Sequence, residues 1–197
     1  VSPDQEKLRK LHDQGYNDYF AILSIDLVRS TALGLVLDRD QYSTMIQLYM
    51  METANLIHNF QGYVLTTQGD KIMGYFPGPN VNGMHDNVID CAISQILLIK
   101  DGLNEVLTSS GYPPLQCRIG INSGIPDIIP EGNKNFDLLG FSVNLADKIQ
   151  QIASTNEILI GEMTERILHT RWRKNTKKVK EEKAWNFEID GKLYNIY

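Results

Sequence analysis

Alternating apolar and polar stretches along the chain predict strands and helices that follow one another in turn. An apolar run at residues 19–25 has strand length and ends at Asp26. Two shorter runs, 63–67 and 72–76, flank a tight turn at 68–71 and predict a hairpin. A hairpin requires antiparallel pairing, whereas strands separated by helices allow crossovers. The pattern therefore predicts an α/β (α+β) domain of ferredoxin-like type, with a mixed, mostly antiparallel sheet and helices on one face.

Apolar residues at helical spacing predict the helices. One runs from a cap at Asp38 and Asp40 to about residue 60, and others span 86–109 and 142–153. Short elements complete the pattern: strands at 115–122, 157–160 and 193–197, a helix at 163–169 and a loop at 126–135. A charged helix at 4–14 precedes the first strand. We therefore divide the chain into a helical lead-in, 1–18, and one domain, 19–197.

Composition narrows the classes of protein that remain. Apolar residues make up 42% of the 197 positions, which is enough for one buried core. A net charge of −5 argues against nucleic-acid binding, and the basic stretch 171–183 predicts an exposed hairpin. We expect Cys91 and Cys117 to be buried thiols. No membrane span or apolar leader is visible, so we expect a cytoplasmic protein.

Two aspartates stand where the predicted strands open into turns. Asp26 follows the first strand, and Asp70 occupies the tip of the hairpin. If the two strands are neighbours, their carboxylates converge and need a divalent cation between them. Oxygen ligands of this kind suit Mg²⁺ or Mn²⁺, with a nucleoside triphosphate completing the shell. Taken singly, each aspartate is better explained as a strand-end cap or a turn residue than as a metal ligand.

Two further patterns lie later in the chain, at 118–124 and 137–148. In the second, Asn144 and Lys148 are four residues apart at the start of a helix, so they share one face. An amide and an ammonium group there can bind a ribose oxygen and a phosphate. Alternatively, Asn144 is a helix cap, Lys148 a solvated lysine and Asp137 a residue that closes a loop.

Together, and in this order, the four patterns resemble the catalytic domain of class III adenylate and guanylate cyclases. The resemblance covers 19–197 and implies a fold that dimerises head to tail. It implies that Asp26 and Asp70 bind two metal ions, Mg²⁺ or Mn²⁺, on one protomer. The partner protomer would supply Asp137, Asn144 and Lys148, giving a homodimer with two equivalent sites. The implied reaction is attack of a ribose 3′-hydroxyl on the α-phosphorus of its own triphosphate, with pyrophosphate leaving.

The sequence departs from the family pattern at two positions that bear on substrate. Purine-specific members usually carry a Lys where this chain has Thr66, although Asp137 retains its expected role in base binding. Lys148 stands where the family has an Arg that stabilises the transition state, so the charge remains without the bidentate geometry.

A cyclase that keeps its metal ligands but has a different residue at the purine-binding position resembles the pyrimidine cyclases of bacterial antiphage Pycsar systems. Those enzymes make cyclic UMP or cyclic CMP as defence second messengers. Of the two, we expect a uridylate cyclase that converts UTP to cyclic UMP, because Asp137 can accept from the uracil N3–H and Thr66 or backbone N–H groups can donate to the uracil carbonyls. Two alternatives remain open: an adenylate cyclase, and a degenerate cyclase-homology domain that binds nucleotide or a partner without catalysis.

Overall fold

The computed structural model describes residues 1, 3–78, 81–132, 135–179 and 185–197, with the backbone alone at 81 and 82. Its strands are β1 Phe20–Leu27, β2 Tyr63–Gln68, β3 Lys71–Pro77, β4 Cys117–Gly124, β5 Asp127–Glu131, β6 Asn135–Leu139, β7 Ile158–Ile160, β8 Glu188–Ile189 and β9 Lys192–Leu193. Its α-helices are α1 Gln5–Asp13, α2 Ser30–Val36, α3 Arg39–Asn59, α4 Val81–Leu97, α5 Asn104–Ser109, α6 Phe141–Ile152, α7 Glu162–Ile167 and α8 Thr170–Arg173.

Five strands form the central sheet, in the order β2-β3-β1-β4-β7. All neighbours are antiparallel except β4 and β7, which are parallel. The sheet is therefore mixed and mostly antiparallel, and this prediction is confirmed. Strand β1 lies in the middle because nearly every residue in it is apolar and buried, as a strand covered on both faces requires. Its last residues place Asp26 opposite Arg118 on β4.

Helices cover both faces of this sheet, so the prediction of helices on one face is wrong. Alternate residues of β1, such as Ala21 and Leu23, pack with α3 and α4 in the larger core cluster. Phe20 and Ile22 point the other way and pack with α1 and α6. Because α1 contributes fully buried Leu8 to that second cluster, the N-terminal helix belongs to the folded core. The division of the chain at residue 18 stays a prediction.

Local signals account for the helix and hairpin that flank the predicted site. Asp38 caps the start of α3, as the sequence indicated, and it does so in a reciprocal capping box with Gln41, whereas Asp40 lies in the first turn of the helix. Strands β2 and β3 are joined by the two-residue turn Gly69-Asp70, and Gly69 has a φ of +63° that glycine adopts without strain. The turn therefore holds the carboxylate of Asp70 at the tip of the hairpin.

Other predicted elements differ in the structure. The predicted loop at 126–135 instead contains β5 and the start of β6, which pair as an antiparallel hairpin. The predicted helix 86–109 begins at residue 81 and passes through a π-helical turn, Leu98–Leu103, before α5. The basic stretch begins as helix α8, with Arg171 paired to Asp90 at 3.0 Å, and its residues 180–183 lie outside the described ranges.

Two further expectations about the chain can be compared with the structure. Cys91 and Cys117 are both buried and free, as expected, and burial raises the pKa of each thiol to about 12. Among the described residues, none of the helices combines the length and apolarity that crossing a bilayer requires.

Candidate active site

The structure brings Asp26 and Asp70 to the same end of the sheet. Asp26 lies on β1, and Asp70 lies on the turn between β2 and β3. Strand β3 pairs directly with β1 in the sheet. The Asp70 Oδ2 atom accepts a hydrogen bond from the backbone N–H of Leu27 at 3.2 Å. The carboxylate of Asp70 thus rests against the residue that follows Asp26. Asp26 and Asp70 are therefore near each other, as a cation site shared by the two carboxylates requires.

Asp26 is held by side chains from two other elements. Its Oδ2 atom accepts from Arg118 of β4 at 3.0 Å and from Gln150 of α6 at 3.4 Å. Its side chain is 16% exposed, so the Arg118 pair is partly shielded from solvent. Sequence reasoning gave neither partner a role, although Arg118 opens the third pattern and its register opposite Asp26 is a simple consequence of strand pairing. These contacts fix the direction of the Asp26 carboxylate.

The environment of Asp70 favours a bound positive charge. Burial raises the pKa of the Asp70 carboxyl, and the negative charge of Asp26 raises it further, while a hydrogen bond from Ser30 opposes both. A carboxylate in this position is therefore destabilised in its charged form until a cation neutralises it. Ser30, which donates this hydrogen bond, is the first residue of α2, and Arg29 before it has φ +62°.

The donor set fits a hard divalent cation such as Mg²⁺ or Mn²⁺. Two carboxylates from neighbouring backbone segments would supply oxygen ligands, and both ions prefer oxygen. The described residues contain no group of three or more His, Cys, Asp or Glu side chains placed to bind a metal. Asp26 and Asp70 would therefore hold the ions together with ligands from outside this set, such as triphosphate oxygens and water.

A groove of about 380 Å³ lies between the β2–β3 hairpin and helix α6. It is lined by eight residues: Thr66, Thr67, Gln68, Lys71, Met73, Val143, Asn144 and Asp147. Two of the predicted site residues, Thr66 and Asn144, meet in this groove. A β-bulge at Leu65 buries that side chain in the second core cluster and leaves Thr66 exposed at the groove wall.

The other two predicted residues lie elsewhere. Lys148 points away from the groove, and its Nζ lies 5.2 Å from the ring centre of Phe187 in a cation–π contact. Asp137 lies on β6, where its Oδ1 accepts from the backbone N–H of Leu138 at 2.8 Å, and it does not line the groove. Within one chain, the structure therefore brings together Asp26 with Asp70, and Thr66 with Asn144, as two separate pairs.

An ion pair in the groove was missed by sequence reasoning. Lys71 Nζ donates to Asp147 Oδ1 at 2.7 Å, which joins the residue after Asp70 to helix α6. Ser24 Oγ contacts the same oxygen at 3.4 Å, and Gln151 Nε2 donates to Oδ2 at 2.9 Å. Lys71 and Asp147 are 76 residues apart, so no local pattern could have paired them.

Residues 13–195 match the family described as "Adenylate and Guanylate cyclase catalytic domain". The match spans most of the chain, and this chain belongs to that family. The resemblance seen in the sequence is confirmed, and the mixed sheet with helices on both faces is the class III cyclase fold.

Curated relatives and a solved structure agree with this assignment. The chain is 24% identical over 163 residues to a "Cytidylate cyclase" of Escherichia coli, covering 75% of this chain and 35% of the relative. It is 25% identical over 152 residues to a "Cytidylate cyclase" of Staphylococcus aureus, covering 73% and 36%. The chain thus spans about a third of the length of these relatives. The adenylyl cyclase CyaB from P. aeruginosa superposes with a TM-score of 0.77 at 20% identity, covering 91% of this chain and 92% of that one.

Proposed function

We propose that this chain is the catalytic domain of a nucleotide cyclase that converts a nucleoside triphosphate to a 3′,5′-cyclic nucleotide and pyrophosphate. The observation that carries the proposal is the Asp26–Asp70 carboxylate pair, with the pKa of Asp70 raised by burial and by its neighbour. Membership of the cyclase family supports the same reaction class.

The reaction forms a bond from the ribose 3′-oxygen to the α-phosphorus and breaks the bond from that phosphorus to the oxygen bridging to the β-phosphate. Metal ions, when bound, lower the pKa of the 3′-hydroxyl and stabilise charge on the phosphate oxygens. The chain's own contribution is placement: Asp26 and Asp70 hold up to two ions, and Asn144 orients the ribose. Lys148, released from Phe187, would meet phosphate charge.

We propose that the active site is completed by a second copy of the chain, arranged head to tail. In one chain, Gln150 contacts Asp26, whereas Asn144 lies six residues earlier on α6, about 9 Å along the helix axis. Lys148 is turned toward Phe187. A second protomer that presents its groove to Asp26 and Asp70 would bring all these groups around one nucleotide, and two-fold symmetry would create two such sites.

We propose a pyrimidine nucleoside triphosphate as the substrate. Thr66 lines the groove. Its side chain is short and ends in a hydroxyl, so it cannot replace the long lysine ammonium group that donates to a purine ring nitrogen. Two observations favour different pyrimidines. The combination of Thr66 with Asp137 favours UTP, because Asp137 can accept from the uracil N3–H while the Thr66 hydroxyl or backbone N–H groups donate to the uracil carbonyls. The names of the E. coli and S. aureus relatives favour CTP. We propose that the cyclic product acts as an antiphage second messenger.

The test is to incubate the protein with each of the four nucleoside triphosphates and Mn²⁺ and to identify the products by mass. We expect a cyclic pyrimidine nucleotide and pyrophosphate, and no product from Asp26→Ala protein run in parallel. Cyclic AMP as the main product would overturn the pyrimidine assignment but keep the reaction. A cooperative melting transition shows that the protein is folded. If folded protein gives no cyclic product from any of the four substrates, the result favours a domain that binds nucleotide without catalysis.

Expression in cells challenged with phage tests the defence role. Protection by the unmodified protein and none by Asp26→Ala would support it. Equal plaque counts for the two proteins would contradict it.

A further inference from the structure

At the start of helix α1, two adjacent residues bind two different strands of the fold. The backbone N–H of Asp4 donates to the carbonyl O of Val64 on β2 at 2.8 Å, and the Val64 N–H donates back to Asp4 Oδ2 at 2.5 Å. The side-chain Oε1 of Gln5 accepts from the N–H of Phe136 on β6 at 2.6 Å. The start of α1 therefore links the edge of the central sheet to the β5–β6 hairpin.

Asp4 is held from several sides. Its Oδ2 lies 2.9 Å from Nε2 of His58, near the end of α3, and its carbonyl O accepts from the hydroxyl of buried Tyr75 on β3 at 3.1 Å. Strand β2 is at the edge of the sheet, so its outer backbone groups have no neighbouring strand, and Asp4 supplies partners for those of Val64. Leu8, one turn further along α1, is fully buried in the second core cluster. Hydrogen bonds and apolar packing thus fix the start of α1 to the sheet.

Both contacts lie next to residues that the proposed function assigns to the base. Thr66 follows Val64 by two residues on β2, and Asp137 directly follows Phe136 on β6. Strands β2 and β6 belong to different sheets, so strand pairing does not fix the distance between them. The first residues of α1 bridge this gap, because they bind the backbone of both strands.

We infer that Asp4 and Gln5 are positioning residues of the cyclase site, and that they set the distance between Thr66 and Asp137. This inference rests on the proposed function, in which Thr66 and Asp137 meet the base. Asp4 and Gln5 act at one remove, through the backbone of the strand that carries each base-binding residue. Their effect is confined to base binding, because the two carboxylates proposed to hold the metal ions are fixed by other contacts.

The test separates base binding from phosphate binding. KM is measured for whichever of ATP, GTP, CTP and UTP gives the highest kcat/KM, and an inhibition constant is measured for inorganic triphosphate, which carries no base. Gln5→Met keeps the length and helix propensity of the side chain but removes the amide oxygen that accepts from the Phe136 N–H. We expect KM to rise by about 10-fold, the equivalent of one weakened hydrogen bond, and the inhibition constant to stay within about two-fold.

Three further variants complete the test. Gln5→Glu should keep the unmodified KM, because its carboxylate can still accept from the Phe136 N–H. Asp4→Leu tests the other contact independently, since it removes the acceptor that holds β2, and it should also raise KM without changing the inhibition constant. Lys10→Met is the matched control, because Lys10 lies on the same helix with its side chain 65% exposed. Both constants should equal those of the unmodified protein in this control.

The outcomes separate this inference from the proposed function. A rise in KM alone in Gln5→Met, absent from Gln5→Glu and Lys10→Met, supports positioning of the base-binding strands by α1. An unchanged KM in both Gln5→Met and Asp4→Leu overturns the inference while leaving the cyclase intact. An equal rise in Gln5→Met and Gln5→Glu, or a joint rise of KM and the inhibition constant, also overturns it, because either result indicates a general structural effect. Absence of any cyclic product from the unmodified protein would overturn the proposed function, and this inference with it.

Discussion

Replacing Gly120 with Ala should move helix α6, and with it the groove. Gly120 lies on β4, where the sheet and α6 approach so closely that no side chain fits between them. A Cβ atom built at this position would lie 2.3 Å from the backbone N of Gln150 and 2.4 Å from the carbonyl O of Ala146. Both are backbone atoms, so a change of rotamer cannot relieve the overlap.

The size of the effect follows from these distances. Ordinary contact begins at 3.4 Å, so α6 must retreat from the sheet by about 1 Å. Overpacking of this kind costs about 1–3 kcal/mol. For a domain of this length, each kcal/mol lowers Tm by about 2–4 °C, so we expect a loss of ~2–12 °C. The same shift displaces Asn144 and Asp147, and a misplacement of about 1 Å can reduce turnover on the order of 100-fold.

Thermal melting and the cyclase assay together test this reasoning. Gly102→Ala is the control, because its Cβ would lie 3.4 Å from a single Leu98 side-chain atom, an ordinary contact far from α6. The control should melt within a few degrees of the unmodified protein and keep its activity. If Gly120→Ala also melts within 1 °C of the unmodified protein and cyclises at the same rate, α6 is not held against β4 as the structure has it.

Three further predictions concern the charged groups. Asp70→Asn should raise Tm at pH 7 in metal-free buffer, because the raised pKa of Asp70 means that its charged form destabilises the folded state. The gain in Tm should disappear as the pH falls to about 4, where the carboxyl becomes protonated in both states, and a pH-independent difference would contradict the prediction. Mixing Asp26→Ala with Asn144→Ala chains should restore cyclase activity if the site spans two protomers, whereas no rescue despite demonstrated subunit exchange would indicate a site within one chain. Lys148→Arg should increase kcat, because a guanidinium contacts phosphate through two parallel hydrogen bonds, and an unchanged kcat would remove Lys148 from phosphate contact.

The elements that sequence reasoning predicted well are those with strong local signals. Helix α3 has its capping residue directly before it, and the β2–β3 hairpin has Gly69 at the position that requires positive φ. The β5–β6 hairpin was missed because prolines at 126 and 130 and glycine at 132 indicate a loop. The second helical layer was missed because the pattern of β1 shows that both faces are buried without showing what buries them.

In the candidate site, too, the features that local sequence signals determine were predicted, and those that tertiary packing determines were missed. The closeness of Asp26 and Asp70 followed from placing two turns on neighbouring strands, and it needs no long-range information once the strands pair. Arg118 and Gln150, which hold Asp26, depend on the register of β4 and on the packing of α6. Those contacts are set by tertiary structure, and the sequence alone contains no spacing that reveals them.

Position 66 shows why substrate choice is hard to infer from one residue. From the sequence alone, a threonine in place of lysine at position 66 suggests that the pocket has lost an ammonium group. Thr66 and Lys71 lie on adjacent strands of one hairpin, and both reach the same groove. Lysine carries its charge on a flexible four-carbon stem, so the ammonium can occupy one volume from more than one backbone position. The charge in such a pocket is therefore a property of the hairpin as a whole, and a change at one position is informative only after its neighbours on the opposite strand are known.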